Sequence, residues 1–217
     1  THSNAQMAAA AVRSLARKSG FDLNRLECLC AGTSSPDLVQ PSHGLMVHGE
    51  LATPPCEVHT AAAVCTSAMS ALRYAMLNVQ TGGVRHAIST GSEFSSRYMR
   101  GRNFEPEMES LVAEMERRPE IAFEKDFLRW MLSDGAGAAL VQSQPNPDRL
   151  SLRIDWMEMV SLAGDMPVCM YSGGNKRPDG SMQYGYEAEN PLDIVRQSFL
   201  AFKQDARILN EHILPAS

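Results

Sequence analysis

Five cysteines and six histidines carry most of the reactive chemistry that the 217 residues offer. Cys28 and Cys30 are separated by one residue, which fits no common zinc spacing. With Cys56, Cys65 and Cys169 they make an odd, irregular set, the pattern of free thiols in a reducing, cytoplasmic setting. Cys65 has the most informative surroundings, Ala61-Ala62-Ala63-Val64-Cys65-Thr66-Ser67-Ala68. Here a strand pattern ends and a helix pattern begins. Backbone N–H groups at a helix start are unpaired and carry partial positive charge. A cysteine placed there is a better nucleophile, and small neighbours leave room for a substrate to reach its sulfur. A buried, inert thiol in a small-residue helix is the competing reading, and this segment alone favours it. A general base would have to come from His2, His43, His48, His59, His86 or His212. His59 is the nearest in sequence, yet an ordinary packed or surface role fits each of them better. Glu93 and Asp134 read as structural groups in turns.

The elements that must position Cys65 alternate between strand and helix. Residues 4–19 predict a helix, capped by Ser3 or Asn4 and ended by Gly20, with Met7, Ala8, Ala11, Val12 and Leu15 on one face. Strands are expected at 26–31, 56–60, 86–90 and, after a glycine turn, to Val141. A short helix is expected at 44–51 and a second long one at 65–80. Residues 106–118 read as a charged surface helix within an insertion at 102–126. Residues 143–149, with two prolines, are the best linker. A strand is expected at 150–156 and a helix from the Asn190-Pro191 start to about 210. This alternation argues for a layered α/β fold.

Composition narrows the function classes. Hydrophobic residues make up 44% and charged residues 21%, enough for a packed core. Twenty basic and twenty-five acidic side chains give a net charge of -5, and no basic block marks a nucleic-acid interface. No apolar run is long enough to span a bilayer, and Thr1-His2-Ser3-Asn4 lacks the features of a signal peptide. The absence of an initiator methionine reads as a processed or trimmed start. No metal site and no cofactor are expected.

Four segments together resemble the β-ketoacyl-acyl-carrier-protein synthase III family of thiolase-fold enzymes. Ala62-Ala63-Val64-Cys65 before a small-residue helix resembles its nucleophile motif. Asp134-Gly135-Ala136-Gly137-Ala138-Ala139 resembles the glycine-rich turn and strand that close the N-terminal half. Gly83-Val84-Arg85-His86-Ala87 with Gly91-Ser92-Glu93 resembles a strand and its following turn. Ala31-Gly32-Thr33-Ser34-Ser35-Pro36 resembles the loop lining the acyl site.

The resemblance implies a thiolase-like layered α/β/α fold, incomplete at both ends. Residues 1–143 would form the N-terminal half and 150–217 the beginning of the C-terminal half. It implies acyl transfer from a coenzyme A or acyl-carrier-protein thioester to Cys65, with its backbone N–H in the oxyanion hole, then decarboxylative condensation. Met69, Val39 and Gln40 would line the acyl pocket, and a homodimer would form near the Cys56 strand. The family's histidine and asparagine would lie beyond Ser217, so the chain reads as a piece of a longer protein. An acyltransferase or thioesterase-like relative, a non-catalytic partner subunit and a cysteine hydrolase of another fold are the alternatives. Fatty-acid, polyketide and related secondary-metabolite roles stay open.

Overall fold

The computed structural model describes residues 2–103, 105, 116, 128, 130–177 and 179–212. The helix expected at 106–118, and most of the insertion at 102–126, fall outside the described residues. The chain divides into two compact units, one built from Thr1–Phe94 and Asp134–Val160, the other from Ser95–Ser133 and Ser161–Ser217.

The first unit has three layers. Its middle layer is a four-stranded sheet of β1 (Cys28–Thr33), β2 (Glu57–Ala62), β3 (His86–Glu93) and β4 (Gly135–Gln142), in the order β2-β1-β3-β4. Both neighbours of β1 run parallel to it, and β4 runs antiparallel to β3. Helices α1 (Asn4–Ser19) and α2 (His43–Leu51) cover one face, and α3 (Ser67–Gln80) covers the other.

Strand alternation decides which side chain meets which layer. Leu29, Ala31 and Ile88 enter the core with Ala5, Ala8, Ala9 and Val12 of α1 and Val47 of α2. Cys28, Cys30 and Ala87 point the other way, under Ala71, Ala75 and Val79 of α3. The Cys28 and Cys30 sulfurs lie 3.5 Å apart in that second core and are fully buried. Burial on both faces explains why β1 reads as a continuous run without a polar alternate.

The ends of α1 follow from three residues. Ser3 accepts from Gln6 N at 3.1 Å while Gln6 Oε1 accepts from Ser3 N at 3.0 Å, a reciprocal cap. Gly20, at φ 74°, ends the helix in the left-handed region that glycine enters freely. Ser3→Ala removes half of that cap. It is expected to lower stability by about 1 kcal/mol in chemical denaturation, with the native circular dichroism unchanged.

Two expectations need correction. Residues 150–156 form no strand: Leu150 and Leu152 are 91% and 86% exposed, and among the described residues no ladder partner holds the segment. The long helix expected from 190 is also broken. Asn190 caps α4 (Pro191–Arg196) through Leu192 N as its sequence indicates, but Ser198 takes φ 51° and the helix stops.

In this second unit Phe199 is fully buried, and its backbone accepts from Gly173 N at 2.6 Å. Burying that ring outweighs continued helix hydrogen bonding. A two-residue strand, Lys203–Gln204, pairs antiparallel with Met170–Tyr171, and helix α5 (Ala206–His212) follows. A second ribbon joins Gly174–Lys176 to Met182–Tyr184.

Candidate active site

Cys65 sits in the turn between β2 and α3 and is exposed. The helix begins at Ser67, two residues later than its sequence pattern indicates, so the thiol stands just ahead of the N-cap Thr66. This is the C-terminal end of the three parallel strands, the end at which open α/β sheets place their ligands. Ser67 N closes the turn on Val64 O at 3.4 Å, and Ser70 N bonds Thr66 O at 2.9 Å. The N–H groups of Ala68 and Met69, between them, have no acceptor among the described residues. They are the donors that a helix start leaves over.

Two glycines bring this turn onto the sheet. A Cβ on Gly32, at the end of β1, would lie 2.3 Å from Ser67 O and 2.7 Å from Ala68 N. A Cβ on Gly91, at the end of β3, would lie 2.5 Å from the Ala68 Cβ. Any side chain at either position would lift α3 away, so β1 and β3 form a bare platform on which the Cys65 turn rests.

The opposite face of the same strand ends carries a buried polar cluster. Asn4, fully buried, donates through Nδ2 to Thr33 Oγ1 at 2.9 Å and to Ser35 O at 2.8 Å. Asp37 accepts from Asn4 N and Ala5 N at 2.9 and 2.8 Å, placing a carboxylate at the positive end of α1. Glu93 accepts from Ser34 N at 2.7 Å and from the hydroxyls of Ser34 and Ser35 at 2.9 and 2.5 Å. The expected turn anchor at Glu93 is therefore a tie between the ends of β3 and β1. His43, 1% exposed, places Nε2 3.0 Å from Ser92 Oγ, and its Nδ1 has no partner among the described residues. Asn4→Ala would take the Nδ2 donor from the Ser35 carbonyl in a buried site, while Thr33 Oγ1 keeps Ser35 N at 3.1 Å. We expect a loss of about 1 to 3 kcal/mol in denaturant midpoint analysis.

The residues expected to line an acyl pocket are scattered by comparison. Met69 lies in the first turn of α3 and is 46% exposed. Val39 is 95% exposed, and Gln40 follows it in the loop between β1 and α2, ahead of a cis peptide to Pro41. The two cavities described lie elsewhere. One, of about 740 Å³, opens at the opposite end of the sheet beside Arg25, Glu27, Cys56, Arg85 and His86. There Arg85 donates to Glu27 at 2.9 Å and holds that carboxyl down at about 2. The other, of about 270 Å³, is apolar and belongs to the second unit, lined by Tyr98, Ile194, Val195 and Leu200 among others.

Of the other candidates, His59 stacks on Tyr74 with ring centroids 4.0 Å apart, the packed role expected for it. The sequence offers His43 only as one of six possible bases, Asn4 only as a helix cap and Ser92 only within a turn, and does not bring them together. A polar residue opening a helix is the local sign at Asn4 and His43, while Ser92 within β3 carries none. Among the described residues no group of three or more His, Cys, Asp or Glu could hold a metal ion, and no helix is long and apolar enough to cross a membrane.

No family model matches the chain. Over 95 residues, 44% of the chain, it is 30% identical to the β-ketoacyl-[acyl-carrier-protein] synthase III of Sphingopyxis alaskensis, and the match covers 30% of that protein. The solved structure of AbyA1, a tetronic acid condensing enzyme, superposes with a TM-score of 0.62 at 18% identity, over 97% of this chain and 52% of that one. The β-ketoacyl-[acyl-carrier-protein] synthase III of Thermus thermophilus gives 0.60 at 16% identity, over 97% and 53%. The chain thus spans about half the length of these structures. Its neighbours are thiolase-fold condensing enzymes, and the architecture around Cys65 is accordingly a thiolase-like mixed α/β fold.

Proposed function

We propose that Cys65 is the acyl-accepting nucleophile of an acyl-thioester condensing enzyme of the β-ketoacyl synthase III kind. The observation that carries this reading is the exposed thiol at the C-terminal end of the parallel strands, beside the unpaired N–H groups of Ala68 and Met69. An acyl donor fits that arrangement. The sulfur attacks the thioester carbonyl carbon, and the electron pair moves to the oxygen. Collapse then expels the thiolate of coenzyme A or of a carrier protein, which takes up the proton that Cys65 loses. N–H groups aimed at the developing oxyanion lower the barrier, because they act where charge appears. The backbone N–H of Cys65 is the first such donor.

Decarboxylative carbon–carbon bond formation from a malonyl-type thioester is the second step proposed for the complete enzyme. Val64 and Met69, both partly exposed beside the thiol, and Val39 and Gln40 would guide the acyl chain. A homodimer would form along β2, an edge strand of the described sheet, close to Cys56. The free state of all five cysteines fits a reducing, cytoplasmic setting.

The test is an intact mass of the chain after incubation with short and long acyl-coenzyme A donors. One added acyl group located on Cys65 by peptide mapping supports the reading. Absence of any adduct across the donors, from folded protein, would overturn it.

A further inference from the structure

Ser92 is covalently joined to both supports of the Cys65 turn. On one side Gly91 bears the first turn of α3, and on the other Glu93 ties Ser34 and Ser35 at the end of β1. The contact that holds the Ser92 side chain comes from His43, which lies behind the sheet and opens α2. We infer that His43 is a positioning residue for Cys65, acting through Ser92, and that its protonation loosens the platform under the thiol. This rests on the reading of Cys65 as the reactive group.

The physical argument concerns where a charge on His43 would go. The ring is 1% exposed, and it sits at the N-terminus of a nine-residue helix, which disfavours positive charge. Two charged groups face it, Asp37 from the β1–α2 loop and Glu93 from β3. Both are already engaged, Asp37 on the N–H groups of α1 and Glu93 on Ser34 and Ser35. To neutralise an imidazolium, one of them must leave backbone or hydroxyl donors that now hold the strand ends.

Burial keeps the His43 pKa below its usual 6.5, although both carboxylates pull it upward. A group depressed in this way contributes its stabilisation fully above the unfolded value. That contribution is lost as pH falls through the folded value, so acid releases the platform and alkali does not.

The experiment measures alkylation of Cys65 by iodoacetamide in the 217-residue chain, by peptide mass, from about pH 8 down to about pH 5. His43→Gln keeps a hydrogen-bonding group without a titration, and Ser92→Ala removes the bond with a smaller change. The ratio of wild-type to variant rates cancels the ordinary ionisation of the thiol. Expected is a wild-type to His43→Gln ratio near unity at the alkaline end that falls about tenfold at the acid end, as the thiol is misplaced. Ser92→Ala should be slower at the alkaline end and lack the acid step. A ratio to His43→Gln that stays constant across the range overturns the proposal. If that variant does not fold, by circular dichroism, Ser92→Ala decides alone: wild-type behaviour in its place overturns the inference. Alkylation needs no acyl donor. A chain that alkylates with this profile yet accepts no acyl group would sink the condensing reading and leave His43 in its role.

Discussion

Cys65→Ala is expected to abolish the acyl adduct completely while leaving the melting temperature within a degree or two of wild type. The two halves of this expectation come from different observations. Loss of the adduct follows from chemistry, since Cys28 and Cys30 are fully buried and Cys56 and Cys169 are half-covered. None of them stands at a helix start in the open. Retention of stability follows from exposure, because an exposed side chain contributes little to the core and its removal costs about 0.5 kcal/mol or less. Intact mass beside a thermal melt reads both at once. An adduct that persists in Cys65→Ala would move the nucleophile to another thiol. A variant that unfolds would make Cys65 a packing residue, the bland alternative its sequence surroundings leave open.

The second large effect is expected from a single methyl group. Gly32→Ala would press Cβ to 2.3 Å from Ser67 O and 2.5 Å from Ser67 C, both backbone atoms that no rotamer change can clear. Either α3 lifts or β1 sinks, and β1 is an inner strand bonded on both sides. Overpacking of that kind costs about 3 kcal/mol, a loss expected in the denaturant midpoint. The acylation rate should fall by about a hundredfold in whatever fraction remains folded, since a shift near one ångström at the nucleophile is enough. Gly49→Ala is the control. It lies in α2 with open space around its Cβ position, so the same added methyl should be neutral or stabilising by about 0.5 kcal/mol. Equal losses in the two variants would show that the platform is not what places Cys65.

The N-terminal layers were legible because their signals are local. Residues 4–19 carry a cap, an apolar face and a terminal glycine within one helix, and the helix forms on those bounds. Strands β1, β2 and β3 appear within two or three residues of their expected positions for the same reason. Residues 150–156 and 190–210 misled for the opposite reason. Their periodicity is real, but residues 150–156 stay exposed and join neither edge of the sheet, and a long helix must not compete with a buried ring such as Phe199. Neither outcome is written in the segment itself.

The sequence by itself determined which thiol stands at a strand-to-helix junction and what small residues surround it. Neighbours along the chain set that, and the resemblance to condensing enzymes rests on the same local runs. Only the tertiary structure decided what the junction rests on. Gly32 and Gly91 matter because α3 packs back across two strands, a contact between segments far apart in sequence. His43 and Ser92 are 49 residues apart and meet only because parallel strands end side by side under α2. A buried hydrogen bond of that kind leaves no periodic trace: either residue alone reads as an ordinary polar position, and the pairing exists only once the sheet has brought its strand ends together.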